Sequence, residues 1–430
     1  MDTTIDSLGT PTIDSPLKRE VFIDDSERVL LDASVEEARR AFQESREPAS
    51  FTVAGPRSKI FFDPSKAKCA LVTCGGLCPG LNNVIRSVVM TLSYNYGVQN
   101  ILGIRYGLQG FIPAYGHSVM DLGPEIVSEI HELGGTILGS SRGPQSTSDI
   151  VDSLQRMNVS ILFMIGGDGT FRAASKIARE IRDRELAIGV VGIPKTIDND
   201  LNLLSRSFGF STAVGVAGRA IDSAHVEALG APNCVGLVKL MGRYSGFIAV
   251  YAALAQREAN LVLIPESDFL MEGPHGLLAW LEARLRNRQH AVIVVAEGAG
   301  QKYCETSGCD ASGNPLLGDI GLWLKASILQ HFNNRDAEIH VRYIDPSYMI
   351  RSVPANSDDS VFCGLLGQNA VHVAMAGKTD LAVGMWNQEF VCIPIPLVVE
   401  KRKRVDINGR LWRSVLELTG QPPLVEERKE

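Results

Sequence analysis

The sequence predicts an α/β fold in which helices cover a mostly parallel sheet and the chain divides into two lobes. Short apolar runs, typical of buried strands, alternate with helical patterns along most of the 430 residues. Such alternation indicates parallel strands with helices on both faces of the sheet. Several runs end in glycine-rich turns that lead into a helix. A chain of this length exceeds what one simple core usually holds, so we expect two lobes.

Each element is predicted from its own stretch of sequence. The predicted strands are short and apolar, and they cover residues 69–73, 101–106, 160–165, 186–191, 235–240, 260–264, 291–296, 338–344 and 381–385. The predicted helices lie near residues 34–42, 83–93, 213–228, 246–257, 275–288, 321–332 and 360–376, and a further helix follows residue 170. Residues 1–50 lack strand periodicity, and we expect an arm that packs on the body or on another subunit.

Composition and charge exclude several classes of protein. The net charge of −7 argues against broad binding to nucleic acid or to an anionic membrane. No apolar run reaches membrane-spanning length, and the first residues lack a signal or transit pattern, so a cytoplasmic protein is expected. The eight cysteines lack zinc-site spacing and are predicted to be free thiols, with oxidation at Cys304 and Cys309 as the alternative.

Residues 194–200 (Pro-Lys-Thr-Ile-Asp-Asn-Asp) are the main candidate for a catalytic segment. They follow a predicted buried strand, and Pro194 is expected to end it. Asp198 and Asp200 then lie at the carboxyl end of a strand, the edge where ligands bind in open α/β sheets. An Asx-type turn, in which these side chains bond local backbone groups, is the alternative that the segment alone leaves open.

Glycine-rich turns after other strands indicate a phosphate site. Residues 74–82 (Cys-Gly-Gly-Leu-Cys-Pro-Gly-Leu-Asn) join a strand to a helix, an arrangement that brings backbone N–H groups close to an anion. Arg142 lies in a loop of small residues and is suited to a phosphate, although such an arginine is often only solvated. Residues 166–170 (Gly-Gly-Asp-Gly-Thr) place Asp168, an oxygen ligand suited to Mg²⁺, among three glycines. A helix-capping role for Asp168 is the alternative.

Charged residues follow three later strands. Arg243, Glu297 and the pair Arg342 and Arg351 each lie in or after a predicted strand. Each alone would be a surface residue, but together they supply guanidinium groups for phosphates and a carboxylate for hydroxyls, as a sugar-phosphate site requires.

These motifs, in this order, resemble the phosphofructokinase family over about residues 67–400. The closest likeness is to the long ATP-dependent enzymes of plants, trypanosomatids and spirochaetes, which carry phrases very similar to CGGLCPGLN, GGDGT, PKTIDND, KLMGRYSGFIA, VAEGAGQ and YIDPSYMIRS. The resemblance implies two Rossmann-like lobes with the active site in the cleft between them. It also implies a homo-oligomer, a dimer or a tetramer, that phosphorylates fructose 6-phosphate at the 1-hydroxyl with ATP and Mg²⁺, the committing step of glycolysis.

The resemblance also implies roles for individual residues. Asp198 corresponds to the general base. The ATP contacts correspond to Gly76, Arg142, Gly143, Gly167, Asp168, Gly169 and Thr170, with Asp168 on the metal. The substrate contacts correspond to Thr196, Ile197, Asp198, Met241, Gly242, Arg243, Glu297, Tyr348, Met349, Ile350 and Arg351. Residues 1–50 are then the arm, 51–209 with 351–402 the ATP-binding lobe, and 210–350 with 403–430 the fructose 6-phosphate-binding lobe.

The chain departs from the short bacterial members of the family at three positions. Cys234 stands where they have a phosphate-binding arginine, and Tyr348 stands where they have a histidine. We expect the grip on the 6-phosphate to be partly rebuilt, with Arg342 as a weaker candidate that could reach a neighbouring subunit. Met90 replaces an arginine of the bacterial effector site, so allosteric control does not transfer.

Donor choice depends on two residues. Pyrophosphate-dependent relatives usually have Asp at the position of Gly169 and Lys at that of Lys195, whereas ATP-dependent bacterial members have Gly at both. This chain has Gly169 and Lys195. Glycine leaves room for the α-phosphate region of ATP, so ATP is the expected donor and pyrophosphate the alternative. A kinase acting on NAD or a lipid, or a non-catalytic regulatory subunit, are further alternatives, but the PKTIDND phrase and the retained Asp198 and Asp168 tell against them.

Overall fold

The structure, a computed structural model, describes residues 1–18, 21–305, 308–309, 313 and 315–424. Its strands are β1 Asp6–Ser7, β2 Ile13–Asp14, β3 Arg28–Leu30, β4 Ser50–Val53, β5 Lys59–Ile60, β6 Lys68–Thr73, β7 Asn100–Ile104, β8 Met120–Asp121, β9 Ile161–Gly166, β10 Gly189–Pro194, β11 Cys234–Leu240, β12 Leu261–Leu263, β13 His290–Ala296, β14 His340–Ile344, β15 Lys378–Thr379, β16 Leu381–Trp386 and β17 Glu389–Pro394. Its α-helices are α1 Val35–Gln43, α2 Leu81–Met90, α3 Thr147–Arg156, α4 Asp168–Asp183, α5 Phe210–Leu229, α6 Phe247–Gln256, α7 Leu277–Arg288, α8 Ile320–Asn333, α9 Ser347–Ser352, α10 Ser357–Met375, α11 Ile395–Val398 and α12 Arg410–Thr419. A π-helical segment, Thr91–Tyr96, follows α2, and short 3₁₀ helices cover Gly107–Phe111, Pro113–Tyr115, Ile130–Glu132 and Gln301–Tyr303.

The chain divides into two compact units, each assembled from separate stretches of sequence. The first unit contains Met1–Thr196, Leu201–Gly209 and Ser352–Lys401, and the second contains Ile197–Asp200, Phe210–Arg351 and Arg402–Glu430. The four residues 197–200 thus group with the second unit, although the expected lobe boundary at residue 209 would assign them to the first. Hydrogen bonds join them to Ser245, Arg402 and Lys403, which are also in the second unit.

The sheet of the first unit has the strand order β3-β4-β17-β16-β10-β9-β6-β7-β8 within the described residues. Its five central strands, β16 to β7 in that order, are parallel, and antiparallel strands flank them on both sides. Every residue of β9 and β10 is buried, as expected for central parallel strands with helices on both faces. The predicted α/β class with largely parallel sheets is therefore confirmed.

The second unit is built on a smaller sheet whose strands are all parallel, in the order β12-β13-β11-β14. Its core is formed by the apolar residues of these strands and by the inner faces of α7 and α8, including Leu281 and Leu324. Leu424, near the end of the described chain, packs into the same core. The second sheet thus presents the carboxyl ends of four parallel strands at one edge.

The predicted strand at residues 186–191 is shifted in the structure, where β10 covers Gly189–Pro194. The shift arises because Leu186 completes the end of α4: its N–H donates to the carbonyl of Ile181 at 3.0 Å, and Glu185 adopts a left-handed φ of 53°. This is a Schellman-type helix end. Pro194 is the last residue of β10, so the strand ends at this proline as expected.

The expected arm pairs with the first unit through short strands that its sequence did not predict. Strand β1 pairs with β15, β2 with β5 and β3 with β4, all antiparallel. Helix α1 matches the predicted helix at residues 34–42. The lack of strand periodicity in residues 1–50 therefore did not exclude strands, because strands of two or three residues are too short to show a period.

The sequence predicts free thiols and no membrane-spanning segment. All eight cysteines, each within the described residues, are free, which agrees with the expectation of free thiols. None of the described helices is long and apolar enough to cross a membrane.

Candidate active site

The predicted nucleotide residues of the first unit lie at one edge of its sheet. Strands β6, β9 and β10 are parallel neighbours, with Thr73 opposite Ile165 and Ile165 opposite Ile193. The turns that follow these strands therefore leave the sheet side by side. These turns carry Gly76, the glycines around Asp168, and Lys195.

Lys195 joins the first of these turns to the third. Its ammonium group donates to the carbonyl oxygen of Gly76 at 2.5 Å, and the residue is only 6% exposed. A Cβ at Gly75 would lie 3.5 Å from that nitrogen, and one at Gly167 would lie 3.3 Å from the Lys195 carbonyl oxygen. Gly75 also has a left-handed φ of 83°. The close approach of these turns, and the backbone conformation at Gly75, therefore favour glycine.

The loop that carries Arg142 and Gly143 is held against the same turn. The N–H of Gly75 donates to the Ser141 carbonyl oxygen at 3.1 Å, and the Ser140 hydroxyl donates to the Gly75 carbonyl oxygen at 2.6 Å. Arg142 is exposed beside these anchors. The structure thus brings all the predicted ATP contacts to one edge of the first unit, together with Lys195.

Asp168 is the first residue of α4, with Gly167 as its cap. Its carboxylate pairs with Arg172 one helical turn later at 3.2 Å and lies at the positive end of the helix dipole. No group of three or more His, Cys, Asp or Glu side chains in the described part of the chain could hold a metal ion. Mg²⁺ bound to nucleotide phosphates usually takes only one or two protein carboxylates, so one carboxylate at the predicted nucleotide edge fits this ion.

Gly169 and Thr170 complete this turn in different ways. A Cβ at Gly169 would meet no atom within 4 Å, so the space beside it is open. Thr170 is 7% exposed, and its side chain lies against Gly166, where an added Cβ would approach it to 2.1 Å. Gly166 is therefore required for packing, whereas Gly169 is not.

In the second unit, the turns after β11 and β13 are neighbours. The N–H of Glu297 donates to the Leu240 carbonyl oxygen at 2.8 Å, and that of Gly298 donates to the Gly242 carbonyl oxygen at 3.1 Å. A Cβ at Gly298 would lie 2.0 Å from the carbonyl oxygen of Arg243. These contacts bring Met241, Gly242 and Arg243 to Glu297, as the predicted sugar-phosphate site requires.

Glu297 has a perturbed environment. Burial raises the pKa of its carboxyl group, and the charges of Lys239 and Arg243 partly oppose that rise. A partly buried carboxylate near two cations is suited to accept hydrogen bonds from ligand hydroxyls.

Lys239 is a charged residue in an otherwise apolar strand, and it pairs with two carboxylates. Its ammonium lies 2.9 Å from Asp319 and 2.9 Å from Asp345. Burial alone would lower the pKa of Lys239, but the hydrogen bonds to the Asp319 and Asp345 carboxylates outweigh it, and the pKa is raised. Asp319 caps α8 through the N–H of Leu322 at 3.0 Å, and Asp345 directly follows β14. Lys239 therefore ties β11, α8 and the exit of β14 together.

The turn that contains Asp198 is supported from two sides within the second unit. The Ser245 hydroxyl donates to the carbonyl oxygen of Asp198 at 3.2 Å. Asn199 is 5% exposed and has a left-handed φ of 53°, and Asp200 is 7% exposed. The N–H of Lys403 donates to the Asp200 carbonyl oxygen at 2.8 Å. Thr196, the preceding predicted residue, belongs to the first unit and accepts from the Ser207 hydroxyl at 2.6 Å.

The predicted phosphate grip forms the short helix α9. Tyr348 and Met349 are 76% and 66% exposed, and the guanidinium of Arg351 lies 4.9 Å from the Tyr348 ring centre. Ile350 is fully buried, so its side chain packs inside the second unit and is not exposed to a ligand. Arg342 lies in the middle of β14, where its guanidinium approaches the Glu227 carboxylate at 3.8 Å.

Several residues at these edges were not predicted from the sequence. Lys239 carried a signal, since a lysine within a strand of Val and Leu requires a partner. Arg402 and Lys403 carried none, because they lie in a run of basic residues that reads as a solvated surface segment.

Comparisons with known proteins identify the family of this chain. The sequence matches the phosphofructokinase family over residues 68–374. It is 52% identical to the ATP-dependent 6-phosphofructokinase of Borreliella burgdorferi, covering 86% of this chain and 84% of that protein. It is 49% identical to ATP-dependent 6-phosphofructokinase 7 of Arabidopsis thaliana, covering 93% and 84%.

Solved structures with the same fold are more distant in sequence. A pyrophosphate-dependent phosphofructokinase from Marinobacter aquaeolei matches with a TM-score of 0.68 at 18% identity, over 84% of this chain and 92% of that one. The T-state phosphofructokinase of Pichia pastoris matches with a TM-score of 0.65 at 19% identity, over 86% of this chain but 38% of that longer chain. The family match and the relatives, which come from a spirochaete and a plant, establish that this chain belongs to the phosphofructokinase family.

Proposed function

We propose that this protein transfers the γ-phosphoryl group of ATP to the 1-hydroxyl of fructose 6-phosphate and releases fructose 1,6-bisphosphate and ADP. The observation that carries the proposal is the Asp198 turn, a carboxylate held at a strand end beside the loop of Arg243. The relatives are named ATP-dependent 6-phosphofructokinases, which supports the same reaction.

The edge of the first unit would bind the donor. The N–H groups of the glycine turns and the guanidinium of Arg142 would hold the phosphates, because backbone dipoles and a planar cation suit these anions. Asp168 would hold Mg²⁺, which neutralises phosphate charge when it is bound. Lys195 would supply a further positive charge at the same edge.

The edge of the second unit would bind the sugar. Asp198 would accept the proton of the 1-hydroxyl while the hydroxyl oxygen bonds to the γ-phosphorus and the bond between that phosphorus and the ADP oxygen breaks. Arg243 would stabilise the transferred phosphoryl group, Glu297 would accept hydrogen bonds from sugar hydroxyls, and Arg351 would grip the 6-phosphate.

ATP is the donor that the structure supports better, and pyrophosphate is the second candidate. An added Cβ at Gly169 would meet no atom within 4 Å, so the space at this position is open for the part of ATP that pyrophosphate lacks. Lys195, which pyrophosphate-dependent relatives usually share, favours the second candidate but excludes neither donor. The cytoplasmic location and the homo-oligomer, dimer or tetramer, stay predictions from the sequence.

A coupled assay with fructose 6-phosphate tests the proposal by comparing MgATP with magnesium pyrophosphate. We expect turnover with MgATP and at least about tenfold lower kcat/KM with pyrophosphate. Asp198→Asn is the matched control, since it keeps the side-chain volume and removes the base. Turnover with neither donor, or undiminished turnover of the variant, would contradict the proposal.

A further inference from the structure

The segment Arg402–Val405, which we call the 402–405 segment, lies against the Asp198 turn, although it is about two hundred residues away in sequence. The ammonium of Lys403 donates to the Asn199 side-chain oxygen at 3.2 Å, in addition to its backbone contact with Asp200. The guanidinium of Arg402 pairs with the Asp200 carboxylate at 3.2 Å. Both residues that follow Asp198 are therefore held by side chains from this segment.

The turn requires such support because of its own conformation. Asn199 has a left-handed backbone, which asparagine tolerates better than most residues but which still needs its surroundings to maintain it. The Asp200 carboxylate is buried and would be unfavourable without a cation. Burial also lowers the pKa of Lys403 to about 8, against the opposing charge of Asp200. A lysine that is unfavourable to bury is often retained for a function.

The 402–405 segment also contacts the loop that carries Arg243. The guanidinium of Arg402 lies 4.2 Å from the ring centre of Tyr244, and the ammonium of Lys403 lies 5.2 Å from that of Phe247. Both distances are those of cation–π contacts.

Glu266 joins the same two elements by accepting backbone hydrogen bonds from both. Its carboxylate accepts from the N–H of Gly246 at 3.1 Å and from the N–H of Val405 at 2.9 Å. The Asp198 turn and the Arg243 loop thus share one support.

From these contacts we propose that Arg402 and Lys403 are positioning residues that fix the direction of the Asp198 carboxylate. The inference rests on the proposed role of Asp198 as the base. Neither residue needs to touch the substrate: they act through Asn199 and Asp200. A small misdirection of a base lowers the rate of proton transfer without weakening substrate binding.

Lys403→Met and Arg402→Met test this, because methionine keeps an apolar stem and removes the charge. We expect each to lower kcat by about 10- to 100-fold, with the KM values for fructose 6-phosphate and MgATP within about threefold of wild type. Arg404→Met is the matched control, since Arg404 is an exposed neighbour of the same segment. It should leave kcat unchanged.

A double-mutant cycle with Asp198→Asn separates positioning from a general structural effect. If Lys403 acts through the base, Lys403→Met should lower turnover by less than about twofold once Asp198 is already Asn. An equal loss in both backgrounds, or an unchanged kcat in the single variant, would overturn the inference. If Lys403→Met does not fold, as its melting curve would show, the Arg402→Met cycle gives the same decision.

The same measurements distinguish this inference from the proposed function. A wild-type protein without phosphofructokinase activity, or an Asp198→Asn variant with full turnover, contradicts the proposed function and overturns the inference with it. A strongly impaired Asp198→Asn with unimpaired Lys403→Met and Arg402→Met overturns only the inference.

Discussion

Gly169→Asp provides a direct test of donor choice, because the fold should tolerate the substitution whereas the kcat/KM for MgATP should fall. A Cβ at this position meets no atom within 4 Å, and the residue lies in the first turn of α4. An acidic residue there interacts favourably with the helix dipole, by about 0.3–1 kcal/mol. Repulsion from the neighbouring Asp168 opposes this. We therefore expect the free energy of unfolding to change by less than about 1 kcal/mol.

The effect on ATP follows from Coulomb's law. A carboxylate about 5 Å from one phosphate charge, at an effective dielectric constant of about 20, is repelled by about 3 kcal/mol. That energy corresponds to a loss of about 100-fold in kcat/KM for MgATP. Pyrophosphate lacks the nucleoside and the third phosphate, so its kcat/KM should fall less or rise.

Initial rates with both donors, together with thermal melting, measure this prediction. Gly169→Asn is the control, because it adds nearly the same volume without the charge, and we expect it to lose less than about tenfold. If the Asp variant keeps ATP efficiency within about threefold of wild type, the electrostatic reasoning fails. If the Asn variant loses as much as the Asp variant, volume rather than charge is the cause.

Four further predictions concern single residues. Asp198→Asn should lower kcat by about two to four orders of magnitude while calorimetry still detects fructose 6-phosphate binding; unchanged turnover would remove its role as the base. Arg351→Ala should raise the KM for fructose 6-phosphate by about 10- to 100-fold, and a rise in the KM for ATP alone would place this residue at the other substrate. Lys239→Met should lower the free energy of unfolding by about 2–4 kcal/mol in urea titrations, because it leaves two half-buried carboxylates without their cation. Lys239→Ala should lower it further, because alanine also removes the packing of the side-chain stem. An unchanged free energy of unfolding in Lys239→Met would refute the argument. Burial lowers the pKa of His372 from 6.5 to about 4. Between these pH values the unfolded chain binds more protons than the folded protein, so the free energy of unfolding decreases as the pH is lowered through this window. From about pH 7 to pH 5 the wild type should lose about 2 kcal/mol more than His372→Gln, and equal losses would show that this histidine is not the cause.

The central strands could be predicted from the sequence because their periodicity is local. The runs that form β9, β11 and β13 are apolar, apart from Lys239 in β11, and are bounded by turns, and the structure places strands there. Strand β17 was missed because it returns from β16 through Asn387 and Gln388, both with left-handed backbones. The usual Asn-Gly signal of such a hairpin turn is absent from this pair.

The candidate site divides in the same way. The glycine turns and Asp198 follow strands, and that position, together with the other motifs and the family resemblance, was enough to predict them as candidate ligand-binding residues. The contacts of Lys403 could not, because Asn199 is 204 residues away and nothing local marks the pair. Ile350 shows the converse limit: a motif predicts that a position is near a ligand, but not whether its side chain points into the core.

The discontinuous second unit has a consequence for the synthesis of the protein on the ribosome. Residues 197–200 emerge long before Arg402, which pairs with Asp200. The central strands of the first sheet, β6 to β10, can associate as soon as they emerge, because they are close in sequence. The Asp198 turn cannot acquire these contacts until Arg402 and Lys403 have been made. A nascent chain can therefore form its glycine-rich turns well before the proposed base is supported.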